Sequence, residues 1–146
     1  MNNFDFCKEV VSSNPSIAGA KIIQNGELVA IYTRPNTLVP SPERFGKLLL
    51  QINIIWSMIK SNEDFFGKNN SFGIYSEKSD MLFFPIKGVD LIRKKKSNGS
   101  DNGSSNYAIL ALQVLSPYDH EKLNQSILDK IRKVFFTYSS TSYVGF

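Results

Sequence analysis

Four adjacent cations, "RKKK" at Arg93, Lys94, Lys95 and Lys96, form the densest basic run in the sequence. Such a run could meet the phosphates of a nucleic acid or the headgroups of an anionic membrane. No aromatic residues are interleaved for base stacking, and an Asn/Ser/Gly/Asp stretch follows. The ordinary use of this charge is a solvated surface that resists edge-to-edge aggregation; contact with an anionic partner is the sharper reading. The other reactive side chains are scattered. His120, the single histidine, lies among Asp119, Glu121 and Lys122, where a solvated surface residue is expected rather than a catalytic base. Cys7 has no spaced Cys or His companion for a metal site and reads as inert packing or a partly exposed thiol. Glu63-Asp64 could be paired acid–base carboxylates. Their place after a helix end and before Phe65-Phe66 instead reads as a solvated turn whose aromatics plug the core. Arg34, in "TRPN", has the side chain of an arginine finger but reads as an ordinary loop arginine. No GxxxxGK[ST] phosphate loop occurs. Neither a catalytic site nor a cofactor or metal is expected.

The 146 residues suit one domain with a real core, and 42% hydrophobic against 21% charged residues is ordinary globular composition. A net charge of +4 is too modest for a whole-surface nucleic-acid footprint. A lone cysteine excludes an internal disulfide framework and fits a reducing cytoplasm. The amino terminus "MNNFDFCKEV" lacks the basic-then-apolar order of a secretory signal, and no run is long and apolar enough for a membrane span.

Asn25-Gly26 between two β-branched runs is a strong hairpin signal, predicting strands over 17–24 and 27–33. Ahead of it "NFDFCKEVVSS" reads as a short helix with Phe6, Val10 and Val11 on one side, ended by Asn14-Pro15. Ser41-Pro42-Glu43 starts a long helix running to about Lys60 or Asn62. "SFGIY" and "MLFFPI" form a second hairpin, with Pro85 expected at its strand's end. "YAILALQVL" is apolar enough for a strand covered on both faces. In "SPYDHEKLNQSILDKIRKVFF", Ser116 caps, Pro117 leads and Asp119 completes a capping box. Leu123, Ile127, Leu128, Ile131, Val134 and Phe135 then line one face. Residues 93–106 are read as a mobile Lys/Gly/Ser/Asn-rich loop, and 137–146 as a loose tail.

The long helix is apolar on two sides. Phe45, Leu48, Leu49, Ile52, Ile55, Trp56 and Ile59 share the arc a helix lays on a sheet. Leu50, Ile54 and Met58 recur at i, i+4 and i+8 on the opposite side, where a lone chain would meet water. Such a stripe marks an interface unless the amino-terminal helix or the tail covers it.

The order α-β-β-α-β-β-β-α gives an α+β sandwich, a five-stranded antiparallel sheet carrying its helices. With the "QNGELVA" hairpin before the long helix and a closing helix after "YAILALQVL", residues 4 to 136 resemble the roadblock / dynein light-chain family. Longin domains, which share strand-strand-helix-three strands-helix, are the nearest rival. A long connection after the second strand and the 93–106 stretch depart from the roadblock pattern. The resemblance implies a dimer built on the long central helix and an adjoining strand, with Leu50, Ile54 and Met58 at the partner helix. It further implies a non-enzymatic scaffold or regulator acting with a small Ras-like GTPase or a multi-protein complex. The alternative from another class is a small-molecule sensor of the profilin-like, PAS or GAF kind, which needs a cavity between sheet and helix.

Overall fold

The computed structural model describes residues 2–68, 70–87 and 107–135. The Arg93–Lys96 run, the loop read over 93–106 and the tail 137–146 lie outside the described residues. Along the chain come α1 (Asn3–Ser12), β1 (Ile17–Gln24), β2 (Glu27–Thr33), α2 (Pro42–Ser61), α3 (Glu63–Phe66), β3 (Phe72–Tyr75), β4 (Asp80–Lys87), β5 (Tyr107–Val114) and α4 (His120–Phe135). The strands form one antiparallel sheet in the order β2-β1-β5-β4-β3. This is the α+β architecture expected, with one short helix more.

The first hairpin forms as its turn residues dictate. Asn25 and Gly26 both adopt positive φ, 54° and 79°, the geometry that joins two twisted strands in two residues. Gly26 is needed twice over, because a Cβ there would come within 3.0 Å of Asn53 Nδ2 on α2. Two helices cover one face of the sheet. Phe6, Cys7, Val10 and Val11 of α1 and Leu123, Ile127, Ile131 and Phe135 of α4 pack on Ala20, Ile22, Leu82, Phe84, Leu110 and Leu112. The other face meets α2 through Ile23, Ile52, Phe83, Ile109 and Ala111. Since β5 contributes to both clusters, its unbroken apolar run is explained.

Pro85 stands inside β4, paired with Ile109, rather than at its end. It is tolerated because β3 reaches only as far as Phe83; beyond that point β4 is itself an edge, where proline's missing donor costs little. Val134 is exposed, not on the inner face of α4. The start of α4 also differs from expectation. Ser116-Pro117 is a cis bond outside the helix. Asp119 is the cap, its Oδ1 accepting from Lys122 N at 3.1 Å and its carbonyl from Leu123 N at 2.9 Å. Tyr118 is held off the helix by donating its hydroxyl to Asp80 Oδ2 at 2.7 Å. In urea unfolding, Asp119→Ala should therefore cost about 1 kcal/mol, the usual value of a helix cap, and Ser116→Ala a few tenths at most. The reverse ranking would restore Ser116 as the cap.

Candidate functional site

The long helix α2 is capped by Ser41, whose side chain accepts from Arg44 N at 3.2 Å, and led by a proline in its first turn. Its inner arc faces the sheet as the periodicity requires, yet only Ile52 is fully buried. Phe45, Leu48, Leu49, Ile55, Trp56 and Ile59 are half-buried. Trp56 stacks on Phe72, ring centroids 6.4 Å apart, and Phe72 stacks on Phe83 at 4.8 Å. The outer stripe is open: Leu50 is 63%, Ile54 56% and Met58 59% exposed. The sequence singled out these three residues, and the structure puts them on one side of one helix with no described part of the chain across them.

Just beyond α2, Phe65 and Phe66 contradict the expectation that they plug the core. They are 79% and 77% exposed and stack edge-to-face on each other, 4.8 Å apart. Asn62 is the reason. Its carbonyl accepts from the backbone N of both phenylalanines, and Gly67, at φ 90°, closes the turn on Glu63. The short helix thus leads off the end of α2 instead of folding back under it.

Beneath the first half of α2 lies a group the sequence did not flag. Lys21, in the middle of β1, is 3% exposed, its Nζ 5.7 Å from the centre of the Phe45 ring. Burial lowers its pKa, and the nearby Cys7 thiol offsets this in part. In "IAGAKII" it looks like the polar member of an ordinary alternation; only the helix laid over it changes that. Cys7 is fully buried, and burial pushes its thiol up to about 12, so it is inert packing.

The remaining candidates have structural partners. Arg34 binds three carbonyls at the end of α1 and the start of β1: Val11 O at 2.6 Å, Ile17 O at 2.8 Å and Asn14 O at 3.1 Å. It ties off a helix C-terminus, where a cation is favourable, and its Nε and Nη2 donors are taken by these carbonyls. His120 is exposed, with Nε2 3.1 Å from Tyr75 Oη. Asp80 accepts from Tyr118 Oη and Ser76 N, and burial, then this bond, raises the Tyr118 pKa. Glu63 and Asp64 lie in the first turn of α3, half-buried and exposed respectively. Among the described residues, no group of His, Cys, Asp and Glu could hold a metal ion, and no helix is long and apolar enough to cross a membrane.

No protein-family model and no curated protein matches the sequence. Solved structures do match the fold. A roadblock/LC7 domain from Streptomyces avermitilis aligns with TM-score 0.61 at 12% identity, covering 92% of this chain and 95% of that one. MglB in a tetrameric arrangement aligns with TM-score 0.64 at 10% identity, covering 89% and 82%. Myxococcus xanthus MglB aligns with TM-score 0.61 at 9% identity, covering 94% of each. The chain has the roadblock fold, as its element order implied.

Lys21 supplies a test of the geometry under α2. Between its lowered native pKa and the ordinary 10.5, the unfolded chain holds the lysine proton and the native chain does not, so this group makes stability rise with pH across that window. Lys21→Met should raise stability at about pH 7 and flatten the rise toward about pH 10, measured by denaturant unfolding with Cys7 unchanged. A variant less stable than wild type at both pH values would mean that the lysine is matched by a partner.

Proposed function

We propose that this chain is a non-enzymatic scaffold or regulatory protein of the roadblock type, working as a homodimer through the outer face of α2. Its partner class is a small Ras-like GTPase or a multi-protein complex, which the resemblance implies and the residues do not name. The observation that carries the self-association is the open Leu50–Ile54–Met58 stripe, on a helix whose inner face holds one fully buried residue. Contiguous exposed apolar surface of this kind marks protein contact.

Two rivals lose support. A sensor domain needs room between sheet and helix, and that space is occupied by Ile23, Ile52, Phe83 and Ile109. A longin module differs in its amino terminus, whereas here α1 is a packed helix with Phe6, Cys7, Val10 and Val11 in the core. Any contact of the Arg93–Lys96 run with an anionic partner is electrostatic in kind, so such contact should vanish at moderate salt.

An isologous interface puts the same patch of both copies around the two-fold axis. In a Cys7→Ser background, Ile54→Cys should give a covalent dimer under mild oxidation, and Gln51→Cys, off the stripe, should give far less. Joint truncation of Leu50, Ile54 and Met58 to alanine should weaken association with little effect on folding. Ile52→Ala should destabilise the fold itself by roughly 2–5 kcal/mol. Equal cross-linking at positions 51 and 54 would remove the stripe from the interface.

A further inference from the structure

Among the described residues three stretches of sheet edge are free, and two of them are guarded. β3 is four residues long, and β4 beyond Phe83 carries Pro85 and Lys87, ordinary defences against a passing strand. β2 runs seven residues, "ELVAIYT", with neither lysine nor proline. None of its residues is buried, whereas seven of the eight in β1 beside it are. The register shift at Ile22/Ile23 leaves the stretch from Ala30 to Thr33 regular. Arg34 N donates to Ala18 O, so the alternation of an antiparallel pair makes Ala20–Tyr32 and Ile22–Ala30 the bonded pairs. The backbone N–H and C=O of Ile31 and Thr33 therefore point away from β1, into the open edge.

The side chains beside this edge state what an incoming strand must carry. On the α1 face the exposed Phe4 meets the Tyr32 ring edge-on at 5.8 Å. On the α2 face Leu28 and Ile31 are exposed, and Lys21 stands directly across from Ile31. Lys21 is the group out of place. It is 3% exposed and forms no hydrogen bond or ion pair with a described residue. Burial lowers its pKa, and only the Cys7 thiol offsets this. Its nitrogen is nevertheless not sealed. The unpartnered side-chain polar atom shut off from solvent, among the described residues, is Asn124 Oδ1.

We infer that the open edge of β2 takes up an extended segment of a partner protein as a further strand, and that an acidic residue of that segment, set between apolar neighbours, pairs with Lys21. Main-chain bonds to Ile31 and Thr33 supply the attachment, and alternate side chains supply the selection. A strand added beyond β2 stands two inter-strand spacings from β1, about 9.6 Å, within the combined reach of a lysine and a glutamate. A carboxylate on the α2 face crosses Ile31 to the Lys21 nitrogen, and the residues before and after it project onto Phe4 and Tyr32. A buried cation without a partner favours a carboxylate there over an apolar group. The inference stands apart from the homodimer, because the outer stripe of α2 is a different surface.

The test titrates the full chain with a fluorescein-labelled nonapeptide of alternating threonine and valine whose central threonine is replaced by glutamate, and with the same peptide carrying glutamine there. The glutamate peptide should bind, and the glutamine peptide at least about tenfold more weakly. Lys21→Met should remove that difference. Ile31→Pro deletes an outward N–H without breaking a bond to β1 and should weaken both peptides; Thr33→Pro repeats the test at the next outward donor if the first variant unfolds. Equal binding of the two peptides to the wild type, or no binding at millimolar peptide, would overturn the proposal. Loss of peptide binding on truncating Leu50, Ile54 and Met58 would place the peptide on the α2 stripe and overturn it too. A solution mass of the unliganded chain that falls with Ile31→Pro would make a second copy the occupant, with the same result. Peptide binding retained by the truncated α2 variant, whatever its mass, supports the edge site independently of the homodimer.

Discussion

The fold is governed by an imbalance of cover. Five strands spaced about 4.8 Å apart present a face roughly 20 Å wide, and a helix with its side chains is about 10 Å across. Two helices close one face, which is why α1, α4 and the strand residues beneath them form the larger core. Among the described residues, the helix α2 is what lies on the other. It buries Ile52 and the Phe72–Phe83 stack, and it leaves Leu28 and Ile31 on β2 and Ile74 on β3 partly open to either side. The apolar outer stripe of α2 is therefore one part of an under-covered half of the molecule. Apolar surface of that extent is stable in water when something else covers it.

Polar side chains that invite a catalytic reading are spent on holding this frame. Arg34 joins the end of α1 to the start of β1 through three carbonyls. Tyr118 and Asp80 tie the entry to α4 to the second hairpin. Each of these bonds satisfies a group that would otherwise be costly to bury, and each removes from circulation a residue that could act on a substrate. Lys21 runs the other way: it lies under α2 with an aromatic ring for company and pays for its burial in a lowered pKa.

Local chemistry was legible where a local rule decides the outcome. Asn25-Gly26 set the first hairpin to the residue, Ser41-Pro42 set the start of α2, and the helical period separated its inner arc from its outer stripe. The errors came where two local signals competed or where tertiary context ruled. Ser116-Pro117 imitates the start of α2, but Asp119 is the better cap and Tyr118 has a partner in Asp80. Phe65-Phe66 look like core by composition, yet Asn62 and Gly67 turn them outward. For Lys21, burial depends on a helix whose arrival no neighbouring residue announces.

The central claim is that the open side of α2 is closed by a second copy of the chain. Sedimentation equilibrium of the wild-type protein, on the order of tens of micromolar where a dimer of ordinary affinity is filled, tests it most directly. The account predicts a mass twice the 16.5 kDa of the chain, falling toward the single-chain value when Leu50, Ile54 and Met58 are truncated. A wild-type mass of one chain across that range would contradict it.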